Sequence, residues 1–265
     1  MYNAFQLAFK YAKYYLQAAN GRGHGTHSPF VFNFVNNVLN DATHYACYAP
    51  IEAGRQQLLQ RNESILVEDF GAGSSVNKSS KKIIGRVART SLKPKKYAQL
   101  IFRIANYYKI KTAVELGTSF GITTAYLSNA TAEGKVFSLE GSASIAQIAK
   151  EQLEKLSIGN TEIIVGNFDY TLPGLLRQVT ALDFVFIDGN HRELPTIAYF
   201  NTCLQHAHND TIFIFDDIYW SKEMEAAWEN IKCHPAVTLT IDLFFIGMVK
   251  ISKQFLQKQH HVIRF

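Results

Sequence analysis

Glu115-x-Gly117-x-x-x-Gly121 closes a short apolar run, Thr112-Ala-Val-Glu-Leu116, and opens directly into a helical stretch, Ile122 to Asn129. A strand that ends in a glycine turn at a helix N-terminus lets backbone press against the sugar or phosphate of a polar ligand. A second apolar run, Lys135-Val-Phe-Ser-Leu139, ends in Glu140, nineteen residues after Gly121. An acid at the tip of the second strand is where a nucleoside ribose would be hydrogen-bonded. Both signals at this spacing predict an adenosine-type cofactor on a doubly wound sheet.

The glycine spacing narrows the cofactor. A dinucleotide asks for G-x-G-x-x-G, because its pyrophosphate must sit on the helix N-terminus. Here the two glycines are four apart, and Glu115 stands two residues before the first. A negative side chain suits a cofactor with a cationic amino-acid end and suits a pyrophosphate badly. That cofactor is S-adenosylmethionine. The candidate contacts are Glu115, Gly117, Thr118, Ser119, Gly121, Glu140, Gly141, Ser142, Asn167, Phe168 and Asp188.

A second constellation lies further on. Strands ending in Asp188-Gly-Asn-His191 and in Asp216-Asp217 bring three acids to adjacent strand ends, where ligands of such sheets bind. Each alone reads as a helix N-cap. Together they would repel unless something positive held them. A hard divalent cation, Mg²⁺ or Mn²⁺, on Asp188, Asp216 and Asp217 meets that need. His191, three residues past Asp188, is placed to act as a general base, with Asp188 as its catalytic companion.

These residues need a frame. From Lys111 onward the pattern is regular β/α alternation: helix Ser142–Leu156, strand Glu162–Val165, a helix around Leu172–Val179, strand Asp183–Ile187, helix Leu194–His206, strand Thr211–Phe215 and helix Ser221–Lys232. Two closing strands, near Val237–Asp242 and Phe245–Ile251, are joined too tightly for a crossover helix, so one must run antiparallel. The expected fold is α/β: a Rossmann-like, seven-stranded, mostly parallel sheet with a C-terminal antiparallel hairpin, plus a helical N-terminal extension. The expected division is a catalytic domain over residues 94–265 and an extension over residues 1–93.

The extension reads as helices. Phe5, Phe9, Ala12 and Leu16 recur at helical spacing. Ser28-Pro29 starts a second helix through Leu39, and a third is expected near Ala53–Arg61, a basic one near Asn77–Thr90 and another from Pro94 to Lys109. Between the first two lies the loop Gly21–His27, whose composition suits a lid and which carries His24 and His27. Ile65-Leu-Val-Glu-Asp-Phe-Gly-Ala-Gly73 imitates a cofactor loop, but no second strand bearing an acid follows it.

With 265 residues, 47% of them hydrophobic and 18% charged, the chain can bury a full core and is not a disordered one. No apolar run approaches the ~18 residues of a membrane span, and no signal-peptide pattern begins the chain. Cys47, Cys203 and Cys233 are scattered, as in a protein of the reducing cytoplasm. The net charge of +5 is uneven: residues 1–111 hold 16 Lys/Arg against 5 Asp/Glu, the remainder 11 against 17. The basic block around Lys78, Lys81, Lys82, Arg86 and Arg89 reads first as a solvated helix face, with nucleic acid as the alternative partner.

The segment from about Pro94 to Ile251 resembles the metal-dependent O-methyltransferases, the family of the catechol and caffeoyl-coenzyme A enzymes, and the bacterial branch that modifies sugar hydroxyls. The resemblance rests on Val-Glu-Leu-Gly-Thr-Ser-Phe-Gly (114–121), Glu140, Phe-Ile-Asp-Gly-Asn-His (186–191) and Phe-Asp-Asp (215–217). It implies a small hydroxylated acceptor and gives Asp188, Asp216 and Asp217 the metal positions. In the catechol type the last is an asparagine and the base a lysine. Asp217 and His191 stand here instead, as in the sugar-modifying branch. The N-terminal helices would then cover the acceptor or mediate homodimerisation.

Overall fold

In the computed structural model, which describes residues 1–21, 28–69, 78–255 and 257–265, the elements run as follows. The N-terminal part holds α1 (Ala4–Gln17), α2 (Pro29–Phe34) continued by a π-helical turn (Val35–Leu39), and α3 (Tyr48–Gln60). Then come β1 (Ser64–Asp69), β2 (Lys78–Ile83), α4 (Ile84–Ser91) and α5 (Lys95–Tyr107). The alternating part is β3 (Thr112–Leu116), α6 (Ile122–Ala130), β4 (Lys135–Glu140), α7 (Ala143–Lys155), β5 (Thr161–Val165) and α8 (Phe168–Leu176). It continues with β6 (Leu182–Ile187), α9 (Glu193–Leu204), β7 (Ala207–Asp216) and α10 (Lys222–Cys233). Three strands close the chain: β8 (Leu239–Asp242), β9 (Ile246–Lys250) and β10 (Gln259–Val262).

The fold is α/β, with a Rossmann-like, mostly parallel mixed sheet, antiparallel strands near the C-terminus and helices at the N-terminus. Two compact units compose it, residues 42–179 and residues 1–41 with 180–265. In the first, β3, β4 and β5 are parallel in that order. In the second the order is β10-β8-β9-β7-β6, with β9 antiparallel to both its neighbours and the other pairs parallel. The antiparallel return is therefore β9. The short link after Asp242 leaves no room for a crossover.

Two features depart from the expectation. The basic helix expected near Asn77–Thr90 begins only at Ile84; Lys78–Ile83 is strand β2, antiparallel to β1 with Ser64 opposite Ile83. Its run of lysines and serines has no helical apolar stripe, so the pairing offered by β1 decides. The seven expected strands are joined by β10, parallel to β8, in a tail whose Gln-His-His-Val gives little strand signal. Residues 22–27, with His24 and His27, and the glycines after Phe70 in the imitation loop lie outside the described residues.

The core of residues 42–179 joins Ile51, Leu58, Ile84 and Ala88 to Phe102, Phe120, Tyr126 and Ile148. In the other unit Tyr14 and Ala18 of α1 pack on Phe244, with Tyr219 and Phe245 around them. Strands β6 and β7 show the near-continuous apolar runs of strands covered on both faces. No helix among the described residues is long and apolar enough to cross a membrane.

Candidate functional site

Pairing of β3 with β4 sets Glu115 opposite Ser138 and Leu116 opposite Leu139, so both strands end at one level. The chain then turns through three residues of positive φ: Gly117 at 108°, Ser119 at 49° and Gly121 at 78°. At Gly121 the positive φ favours glycine, and a Cβ would also stand 3.2 Å from the Ala149 Cβ, closer than ordinary contact. The Gly117 and Thr118 amides donate to the Leu139 carbonyl at 2.9 and 3.2 Å, which fixes the turn on the end of β4.

Glu140 binds this turn to the next helix. Its Oε2 accepts from the Ser119 amide at 2.9 Å and its Oε1 from the Ser142 amide at 3.0 Å. Burial raises the carboxyl above its ordinary range, and the amides of Ser142, Ser119 and Gly141 oppose that rise by favouring the anion. Thr118 and Ser142 are buried, whereas Gly117, Ser119, Glu140 and Gly141 are partly exposed around the turn.

Glu115 stands beneath the turn, wholly buried. Its Oε2 accepts from Thr124 Oγ1 at 2.5 Å and Ser138 Oγ at 2.6 Å, and Ser138 also meets Thr118 Oγ1 at 2.6 Å. Oε1 has no hydrogen-bond partner among the described residues. Burial pushes this carboxyl up to about 7; the two hydroxyls work against the shift and nearby Glu140 adds to it.

Asn167 and Phe168 follow β5, where the Asn167 side chain caps α8 by accepting from the Asp169 amide at 2.9 Å. Three contacts at the turn have no counterpart in the sequence reading. Ser91, at the end of α4, meets Ser119 Oγ at 2.8 Å. Ser144 Oγ donates to the Leu66 carbonyl at 2.6 Å, and the Glu68 amide donates to Ser142 Oγ at 3.4 Å. The hairpin β1–β2 is thus held on the residues that follow Glu140. Scattered serines carry no spacing signal; only the strand register, Glu115 against Ser138, could have been read by aligning the two apolar runs.

In the other unit, the parallel register of β6 and β7 pairs Ile187 with Phe215, so the next residues, Asp188 and Asp216, emerge side by side. His191 joins them. One ligand atom from each of Asp188, His191 and Asp216 lies within 4.8 Å of the others. His191 Nε2 is 3.8 Å from Asp188 Oδ1, and its ring lies 5.6 Å, centroid to centroid, from that of Trp220. Asp216 is buried and the other two are half-buried. Among the described residues Asp217 is not part of this group. It holds a positive φ of 54°, and its amide donates to the Phe245 carbonyl at 2.7 Å. Asn190, also at positive φ, donates from Nδ2 to the Tyr199 hydroxyl at 3.1 Å and so braces the Asp188–His191 turn.

Residues 114–218 match the family model of a methyltransferase domain. No curated protein matches the chain. Several solved structures share its fold. A methyltransferase of Podospora anserina bound to S-adenosylhomocysteine superposes with a TM-score of 0.60 at 13% identity, over 86% of this chain and 98% of that one. An O-methyltransferase of Bacillus cereus, in complex with the same molecule, gives 0.56 at 17% identity, over 83% and 97%. The O-methyltransferase of Streptomyces achromogenes involved in tomaymycin synthesis, in complex with S-adenosylmethionine, gives 0.55 at 19% identity, over 61% and 82%.

Proposed function

The chain carries a class I S-adenosylmethionine-dependent methyltransferase domain, and we propose that it moves the methyl group to a hydroxyl oxygen of a small acceptor with the help of a divalent cation. The observation that carries this reading is the convergence of Asp188, His191 and Asp216 at the ends of β6 and β7. Two carboxylates brought together repel, and a cation between them relieves that repulsion. The donor set fits a divalent cation: carboxylate oxygens suit Mg²⁺ and Mn²⁺, and an imidazole shifts preference toward Mn²⁺ and its successors. Asp188 and Asp216 would hold the ion. A cation bound there lowers the acceptor hydroxyl's pKa.

The remaining work falls to side chains of this chain. His191 takes the acceptor's proton, and Asp188 orients the imidazole for that task. Glu140, fixed by the Ser119 and Ser142 amides, keeps lone pairs for the ribose hydroxyls of the methyl donor. Gly117, Ser119 and Gly141 let backbone approach the cofactor closely, and Gly121 shapes that turn from within, against Ala149. Asn167 and Phe168, after β5, belong to the same cofactor contacts. Glu115, buried with Thr118 beneath the turn, acts on the cofactor's cationic end through space and not by contact. Asp217 is left to the loop. Residues 1–93 are read as an extension that covers the acceptor or brings two copies together, and residues 94–265 as the catalytic part.

The test is product analysis with catechol and hydroxylated-sugar acceptors. O-methylated product that disappears with excess chelator and returns with Mn²⁺ or Mg²⁺ is expected. Methylation at nitrogen or carbon, or full turnover in chelator, overturns the respective half of the proposal. A second reading, methylation of RNA, draws on the exposed Lys81 and Lys82 of β2 and Arg86 and Arg89 of α4. It requires RNA binding that survives physiological salt.

A further inference from the structure

Between Asp216 and Ser221, the cap of α10, runs the link Asp217-Ile-Tyr-Trp220, and it is held along its length. The Asp217 amide donates to the Phe245 carbonyl at 2.7 Å. Tyr219 donates to Asp242 Oδ2 at 2.6 Å and stacks on Phe244, with ring centroids 5.2 Å apart. Phe244 in turn carries Tyr11 and Tyr14 of α1, at 5.0 and 5.2 Å. The far end of the link is held by the segment before α1: the Tyr2 amide donates to the Trp220 carbonyl at 3.0 Å.

A carboxylate on α10 keeps Tyr2 in that place. The Tyr2 hydroxyl donates to Glu225 Oε2 at 2.5 Å, and Lys10 Nζ meets Glu225 Oε1 and Oε2 at 2.9 and 2.8 Å. The same ammonium stands 4.6 Å from the centroid of the Tyr2 ring. Asn3 and Gln6 close a capping box at the start of α1, so the backbone leaves Tyr2 in a set direction. A half-exposed ion pair by itself contributes little. Here one carboxylate gathers two donors from the same helical segment, and their joint effect is to fix a backbone amide.

Trp220 gives that amide its importance. Its ring lies 5.6 Å from the His191 ring, centroid to centroid, at an angle of 53°. A base must come within about 2.6–3.2 Å of the hydroxyl it deprotonates. An indole packed against the imidazole therefore borders the space that the acceptor enters.

We infer that Tyr2, Lys10 and Glu225 form a clasp that positions Trp220 beside His191 and thereby sets how tightly the acceptor is held. The inference rests on the reading of His191 as the acceptor's base. It makes the three positioning residues, acting through the Trp220 carbonyl. Cofactor and cation stay outside its reach. Glu140 is fixed by the Ser119 and Ser142 amides, and Asp216 by its place in β7 opposite Ile246 of β9.

The chain has two tryptophans, Trp220 and Trp228, so labelling with fluorotryptophan gives two fluorine resonances, assigned with Trp220→Phe. Glu225→Ala removes the carboxylate, and Tyr2→Pro removes the donating amide. Each variant should displace or broaden the Trp220 resonance and leave that of the buried Trp228 in place. Lys10→Arg keeps the ion pair and should behave as wild type. With catechol as acceptor, both disrupting variants should raise KM about tenfold, keep kcat within about twofold and bind S-adenosylhomocysteine and Mn²⁺ as wild type does. A Trp220 resonance unmoved in both variants overturns the inference, as does a displaced resonance with wild-type KM. Joint displacement of the Trp228 resonance with a lowered thermal midpoint also overturns it, since the three residues would then only stabilise the fold. Absence of any methylated product from the wild type would defeat the reaction proposed above, while the two resonances would still decide whether the clasp holds Trp220.

Discussion

Ser138 stands directly across the β3–β4 pair from Glu115 and donates its hydroxyl to Glu115 Oε2 at 2.6 Å. This contact, with its counterpart from Thr124, partly compensates a carboxyl that has no access to water. Burial thus makes the acid beneath the turn after β3 a titrating element of the fold.

Glu115 makes stability depend on pH. Its folded-state value, about 7, lies above the ordinary 4.5, so the folded chain binds the extra proton. The stabilisation is complete below about pH 4.5 and is lost as pH rises through about 7, because the unfolded chain gives up its proton first. Up to about 3 kcal/mol is at stake over that window. Glu115→Gln copies the protonated form and should remove this part of the slope. Denaturant midpoints at pH 5 and pH 8 for both proteins decide it; parallel pH profiles would show that Glu115 does not titrate there.

Glu140→Ala should weaken S-adenosylhomocysteine binding by about 1–3 kcal/mol, the usual loss for a hydrogen bond to a charged group. The Ser119 and Ser142 amides lose their acceptor at the same time, so the turn loosens as well. Glu140→Gln keeps one acceptor oxygen and should lose less. Calorimetry that finds equal affinity in Glu140→Ala and wild type would take this residue away from the ribose.

Much of this site was legible in the sequence, for a physical reason. Glycine at positive φ, an acid at a strand end and alternating apolar runs are local signals, and Gly117, Gly121, Glu140, Asp188 and Asp216 all stand where those signals put them in the chain. What depends on register or on distant partners was hidden. Ser138 beneath the turn, Ser144 holding the Leu66 carbonyl and Trp220 beside His191 come from other elements, and no spacing announces them. That the His191 ring reaches the Asp188 and Asp216 carboxylates, among the described residues, depends on the path of the Asp188–His191 loop, which spacing in the sequence does not give. For β2, pairing with β1 outweighed the weak helical tendency of a lysine–serine run.

On the proposed reading, in which Asp216 holds the cation and does not touch the cofactor, Asp216→Ala should abolish turnover while leaving S-adenosylhomocysteine affinity within about twofold. If His191 is a metal ligand and not a base, its replacement should also lower Mn²⁺ affinity, and Mn²⁺ should then support activity far better than Mg²⁺. Equilibrium dialysis of Mn²⁺ against wild type, Asp216→Ala and His191→Ala separates the two tasks.

As a base, His191 should show its effect only in turnover. His191→Ala is expected to lower kcat by roughly 10²–10⁴-fold with little change in cofactor affinity, since proton removal is felt as the nucleophile forms. His191→Gln keeps the volume beside Trp220 and should be as slow. Wild-type kcat in either variant would leave ionisation of the acceptor to the cation alone.

Truncation at residue 93 tests where the catalytic part can begin. The core of residues 42–179 runs from Ile51, Leu58, Ile84 and Ala88 into Phe102 and Tyr126 without a break. Glu52 accepts from the Tyr126 hydroxyl at 2.9 Å and pairs with Arg55 at 3.0 Å, so α3 is tied to α6 by polar contacts as well. A chain of residues 94–265 would expose that whole face of α5 and α6. Losing four buried aliphatic and alanine side chains costs several kcal/mol, comparable to the stability of an ordinary domain. The truncated protein should therefore lose cooperative unfolding and cofactor binding together, whereas a chain starting at residue 42 should keep the core of residues 42–179 intact. A 94–265 fragment that melts sharply and binds S-adenosylhomocysteine like the full chain would show that helices α3 and α4 are accessories to the fold.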